Sequence, residues 1–145
     1  MTIKIYTDGS CLGNGGDDCR GGWGVYIDRG SEKFEFSGTE RPTTNNRMEL
    51  MAVIRGLELV NTPAPIEIHT DSKYVKNGIS TWIKGWKKNG WRTATKEPVK
   101  NKDLWQRLDK VVAQRNVSWH WVKGHSGAYG NEDADRLATA AAAVA

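Results

Sequence analysis

The residues best placed for chemistry are four acids far apart in the chain: Asp8, Glu49, Asp71 and Asp135. In "IKIYTDGS", Ile3 and Ile5 alternate with Lys4, Tyr6 and Asp8, which is strand periodicity, and Asp8 falls at the strand's end on the face opposite the isoleucines. "IEIHTDS" repeats the arrangement, with Asp71 sharing the parity of Glu67 and His69. The C-terminal ends of strands are where open α/β sheets place ligand sites. If these two strands are parallel neighbours, the two aspartates lie side by side. Local sequence alone also allows each to be a turn residue, since "DGS" and "TDS" are good turn chemistry.

Glu49 lies early in "TTNNRMELMAVIRGLELV", a helical segment with core-facing Met48, Leu50, Met51, Val53, Ile54, Leu57 and Val60. With Asn46 as the expected N-cap, Asn46-x-x-Glu49 resembles a capping box, and an acid there suits the helix dipole. That accounts for an acid in a first turn. It does not account for the stripe Ala52, Val53, Gly56 and Val60 on the same side, which must pack on the sheet and would aim Glu49 at the strand ends. Asp135 sits deeper in the last helix than Glu132 and Asp133, where the dipole explains it less well. Four such carboxylates repel, at about 4 kcal/mol per pair for ~4 Å and an effective dielectric near 20. They coexist only with protonation or bound cations. Oxygen-only ligands favour Mg²⁺ or Mn²⁺, and paired ions of this kind serve phosphodiester cleavage.

The elements that must bring these acids together are legible. Strands are expected over 3–9, "WGVYID", "KFEFSG", "IEIHTD" and "VSWHWV". Helices are expected over the Glu49 segment, after Ser72, over 82–100 in part, over "NKDLWQRLDKVVAQ" and over "NEDADRLATAAAAV". Short links between the first three strands indicate an antiparallel meander, and the mixed order makes the fold class α/β, a mixed sheet with packed helices. The chain has 145 residues, 38% hydrophobic and 26% charged, which suits one domain over 1–145. No run approaches the roughly 18 apolar residues of a membrane span, and the N-terminus lacks signal-peptide character, so no membrane is expected and the location is read as cytoplasmic. Cys11 and Cys19 are expected as two free thiols, a local disulfide being the alternative. Net charge is +4, yet Lys73 to Lys102 holds nine basic residues against Glu97, a window of +8 that leaves −4 elsewhere. Such a segment fits a polyanion, although a solvated lysine-rich face gives the same count.

Five stretches, "YTDGSCLGN", "TTNNRMELMA", "HTDSKYV", "WVKGHSG" and "NEDADRLA", in this order, closely resemble the bacterial ribonuclease H type 1 family from about Ile5 to Ala142. The resemblance implies a ribonuclease H-like five-stranded mixed sheet, an antiparallel three-strand meander plus two parallel strands, with helices on both faces. It implies an endonuclease that cuts the RNA strand of an RNA–DNA hybrid, with two Mg²⁺ ions per site, Mn²⁺ as a substitute, and 5′-phosphate and 3′-hydroxyl ends. The family's metal-binding acids match Asp8, Glu49, Asp71 and Asp135, and its loop histidine matches His125, whose ordinary pKa near 6.5 suits proton shuttling. His69 and His120 are read as structural.

The same resemblance assigns Cys11, Asn14, Asn45 and Asn46 to the hybrid's minor groove, where the 2′-OH is read, and Thr44 and Asn101 to a DNA-strand phosphate. "TWIKGWKKNGWRTATKEPVKN" resembles the family's basic protrusion. There Lys87 and Lys88 would contact phosphate and Trp91 the groove, with core roles for at least two of its tryptophans. Two departures stand out. The loop "GGDDCRGGWG" is long and carries Asp17 and Asp18, which oppose phosphate, and Lys73 replaces an amide, exchanging a base-edge contact for a charge contact. The implied partner is the hybrid alone, acted on by a monomer with no obligate protein partner. Rival classes are a hybrid-binding module without catalysis and a transposase- or integrase-like DNA enzyme, which usually carries its glutamate late in the chain.

Overall fold

The computed structural model describes residues 2–13, 19–122 and 130–145. Five strands, β1 (Ile3–Leu12), β2 (Arg20–Asp28), β3 (Lys33–Glu40), β4 (Pro65–Thr70) and β5 (Asn116–Trp121), form one sheet in the order β3-β2-β1-β4-β5. β1 to β3 pair antiparallel, while β1–β4 and β4–β5 are parallel. This is the expected mixed sheet.

Alternation in the strands produces two different faces. Ile3, Ile5, Val25, Ile27, Ile66 and Ile68 point to one side and are buried against Leu50, Val53, Ile54 and Leu57 of α1 (Asn45–Leu59) and Leu104, Trp105 and Leu108 of α4 (Lys102–Ala113). At ~25 cal/mol per Å² of apolar surface, this sandwich is the main source of cohesion. Tyr6 and Tyr26 point to the other side and pack on Ala134 of α5 (Asn131–Val144). The alanines of that helix let it lie close to the sheet. A Cβ on Gly24 would collide with the backbone of Ala134 and Ala138, so glycine there is a spatial requirement.

One local expectation is corrected and two are sharpened. The cap of α1 is Thr44, whose side chain accepts from Arg47 N at 3.2 Å, not Asn46. Both residue types cap well, and the two-residue shift moves Glu49 beyond the first turn, so no capping box forms. The helices expected after Ser72 and from residue 82 are both present, and a π-helical turn joins them: α2 (Lys73–Asn77) passes into it at Gly78–Trp82 and then into α3 (Ile83–Lys88). Gly78 lies directly under the ring of buried Trp105, which leaves no room for a side chain. Cys11 and Cys19 stand with Cα atoms 5.8 Å apart, within reach of the local disulfide that is the alternative to two free thiols. The antiparallel register sets Leu12 against Arg20, so the residue preceding β2 arrives beside the end of β1.

Candidate active site

Parallel pairing of β1 with β4 runs from Ile3–Ile66 to Tyr6–His69. Continued at the same offset, it sets Asp8 beside Asp71, which follows the end of β4; Asp8 itself lies within β1, which runs on to Leu12 and not only to residue 9 as expected. The Glu49 backbone is seated on β1 itself. A Cβ on Gly9 would fall 2.5 Å from Glu49 N and 2.6 Å from Met48 C, so only glycine lets α1 approach this closely. As a result one carboxylate oxygen from each of Asp8, Glu49 and Asp71 lies within 4.8 Å of the others. Asp135 approaches the group from α5, near enough to Asp8 to raise its pKa.

Burial pushes the Asp8 carboxyl up from 3.8 to about 8, and nearby Asp135 and the charge of Asp71 add to the rise. The Gly9 amide, donating to Asp8 Oδ1 at 2.9 Å, opposes it. Burial likewise raises Glu49 from 4.5 to about 7, against the Ser72 hydroxyl, which stabilises the anion, and with help from Asp71. Two partly protonated acids at neutral pH are the signature of crowding with too little positive charge nearby. The four side chains offer oxygen only, in a partly open arrangement. That donor set fits a hard divalent cation, which would displace the protons and offset the repulsion.

Ser72 escaped the sequence reading except as a cap. Its hydroxyl accepts from Val75 N at 3.1 Å and, 3% exposed, also holds Glu49. The signal was there in "TDS", where a cap residue directly follows a strand-end acid. Arg47 was missed altogether. It pairs with Glu40 at 2.6 Å and Asp103 at 2.9 Å and reaches Asn101 Oδ1 at 3.5 Å, locking β3, α1 and α4 around the start of the Glu49 helix.

The expected substrate residues fall on this edge in part. Thr44 accepts from the Arg47 amide, the Arg47 guanidinium reaches Asn101 Oδ1, and Asn101 also donates to Tyr74 Oη at 3.1 Å. Asn45 and Asn46 are exposed on the first turn of α1, and Asn45 Nδ2 donates to Glu49 Oε1 at 3.3 Å. Cys11 lies on β1, three residues past Asp8. Lys73 lines a groove with Asp71, Ser72, Lys76, Trp121 and Val122. Lys87 pairs with Asp109 at 3.3 Å, whereas Lys88 is exposed. Trp91 is half-buried beside Trp86, with ring centroids 6.4 Å apart, and Trp82 remains 38% exposed. Asn14 and His125 lie outside the described residues.

The family model for RNase H matches residues 1–143. Ribonuclease H of Rhodospirillum rubrum is 56% identical over 138 residues, covering 95% of this chain and 81% of that protein. Ribonuclease HI of Neisseria meningitidis serogroup B is 56% identical over 143 residues, covering 99% and 97%. Among solved structures, LC9-RNase H1, a type 1 RNase H with the type 2 active-site motif, superposes with a TM-score of 0.85 at 34% identity, covering 99% of this chain and 72% of that one. The match spans both the sheet and the acid-bearing edge, and the chain belongs to the ribonuclease H family, beside the bacterial type 1 enzymes.

Proposed function

We propose that the protein is an endonuclease that hydrolyses the RNA strand of RNA–DNA hybrids with two Mg²⁺ ions, or Mn²⁺ in their place, leaving 5′-phosphate and 3′-hydroxyl ends. The observation that carries this reading is the meeting of Asp8, Glu49 and Asp71 within 4.8 Å, with Asp135 near enough to raise the Asp8 pKa. Two such ions would supply activation of the attacking water and charge stabilisation at the departing 3′ oxygen. The chain's own part is to hold four anionic oxygens rigidly at one sheet edge, which Gly9, Ser72 and Asn45 do for Glu49, and the Gly9 amide for Asp8.

Substrate selection is assigned to the surrounding groups. Cys11, Asn14, Asn45 and Asn46 read the shallow minor groove and its 2′-OH. Thr44 and Asn101 hold a DNA-strand phosphate, Lys73, Lys87 and Lys88 add phosphate contacts, and Trp91 meets the groove. His125 moves a proton near the scissile phosphate or helps release product. The enzyme acts as one domain and as a cytoplasmic monomer without an obligate protein partner. Among the described residues no helix is long and apolar enough to cross a membrane.

Matched RNA–DNA, RNA–RNA and DNA–DNA duplexes titrated with Mg²⁺ test this reading. Cleavage confined to the RNA of the hybrid, dependent on Mg²⁺ and lost in Asp8→Asn, is expected. Equal cutting of all-DNA duplex, or a parental rate in Asp8→Asn, overturns it.

A further inference from the structure

A second cluster of ligating side chains stands on the Asp8 face of the sheet. Parallel register sets His69 of β4 directly beside His120 of β5, and Glu67 beside Ser118. Glu67, His69 and His120 therefore project to the same side. The two imidazoles stack at 4.8 Å with 19° between planes, and Tyr6 stacks on His69 from the other side at 4.6 Å. Glu67 Oε1 lies 3.1 Å from His69 Nε2 and 3.9 Å from His120 Nε2. One ligand atom from each of the three lies within 4.8 Å of the others.

We propose that Glu67, His69 and His120 form a second metal site, for a borderline divalent transition ion of which Zn²⁺ is the type. A tetrahedral ion with bonds of about 2.0–2.2 Å holds its donors roughly 3.3 Å apart. The observed separations bracket that value, so adjustment of side-chain torsions suffices. Imidazole ligands select Zn²⁺, Ni²⁺ or Cu²⁺ over Mg²⁺, whereas the four acids offer only hard oxygen. Two histidines and one carboxylate are a known zinc set that leaves a fourth position open. Access is open as well: α5 packs over β1, β2 and β3, and the His120 side chain is 43% exposed. Each imidazole lone pair lies in its ring plane, so the His69–His120 stack, at 4.8 Å and 19°, must open for both rings to face one ion, which costs part of the binding energy.

Two further features temper the affinity. Lys4 stands opposite Glu67 in the β1–β4 register and brings a positive charge to this face. Ser118 Oγ lies 3.3 Å from His120 Nε2 and must release it. The site shares no ligand with the acid quartet, although Asp71 is only two residues beyond His69, about 7 Å along a strand. A metal-free alternative is a Glu–His hydrogen bond within a ring stack that merely fills the uncovered part of the sheet.

Zn²⁺ titration of the full chain by calorimetry, with excess Mg²⁺ present to occupy the acids, separates these. One Zn²⁺ per chain is expected, with affinity falling by at least about tenfold, the scale that even outer partners of a ligand carry, in His120→Ala and in Glu67→Gln, and unchanged in Asp8→Asn. Equal affinity in His120→Ala and Glu67→Gln, full displacement of Zn²⁺ by Mg²⁺, or loss of binding in Asp8→Asn overturns the proposal. Imidazole NMR signals of the unmodified protein give a check that needs no variant: Zn²⁺ must shift those of both His69 and His120, and unshifted signals overturn the site.

Discussion

Gly9 couples the fold to the chemistry, and Gly9→Ala is the sharpest perturbation of that link. The new methyl carbon would stand 2.5 Å from Glu49 N, 2.6 Å from Met48 C and 2.9 Å from Glu49 Cα, all backbone atoms that cannot rotate away. Restoring ordinary contact requires α1 to retreat by about 1 Å from β1, and overpacking of this kind costs about 1–3 kcal/mol. The same retreat carries Glu49 away from Asp8 and Asp71, and a displacement of ~1 Å at reacting groups costs on the order of 10²-fold in rate. Gly85→Ala is the matched control, because a Cβ there meets nothing within 4 Å, and in a helix the change should stabilise by about 0.5–1 kcal/mol. Urea unfolding and hybrid cleavage are measured on both variants. Gly9→Ala is expected to lose stability modestly and activity heavily, and Gly85→Ala to lose neither. A Gly9→Ala protein with the parental rate would show that the Glu49 helix is not held in place by this contact, and the positional argument would fail.

Asp8 and Glu49 predict the pH dependence of the ion-free protein. Their folded-state pKa values, about 8 and about 7, lie above the ordinary 3.8 and 4.5, so the folded state retains protons that the unfolded chain has released. Stability should therefore fall as pH rises from about 4 to about 8, and denaturant midpoints in chelator across that range check it. Asp8→Asn removes one corner of the cluster, and with like charges near 4.8 Å at an effective dielectric of ~20 it should stabilise the ion-free protein at pH 8 by about 3 kcal/mol while abolishing cleavage; no gain in the midpoint would contradict the repulsion. Arg47→Ala frees Glu40 and Asp103 together and should cost about 1 kcal/mol, as partly exposed pairs do, with a larger loss in hybrid affinity as Asn101 loses the Arg47 guanidinium; an unchanged Kd counts against that positioning. Hybrid affinity should fall steeply with salt, through release of counterions by the lysines of the basic window, and a flat salt profile would remove them from the interface.

How far the sequence foretold this site depends on whether the signal was local. Strand alternation in "IKIYTD" and "IEIHTD" placed Asp8 and Asp71 on one face, and the observed parallel register puts them beside each other. The apolar stripe of α1 correctly aimed Glu49 inward. The cap was misplaced because "TTNNR" contains four residues able to cap, and the tertiary partners of Arg47, Glu40 and Asp103, were equally out of view. Those partners lie 7 and 56 positions from Arg47, beyond the reach of any periodicity. The closeness of Cys11 and Cys19 was not legible because composition speaks of the compartment, whereas the β1–β2 register sets the distance. His69 and His120 each look like ordinary strand residues, and their pairing exists only once β4 and β5 lie side by side.

The central claim is that four carboxylates share too few positive charges until divalent ions arrive. Proton release on adding Mg²⁺ at pH 7, followed in a pH-stat, tests it most directly, because Asp8, raised to about 8, must give up its proton to become a ligand. The account predicts release of about 1.4 protons per chain in the parent protein, mostly from Asp8 with a share from Glu49, and markedly less in Asp8→Asn, which also binds Mg²⁺ more weakly. Mg²⁺ binding of equal affinity in both proteins, with no proton released from either, would contradict it.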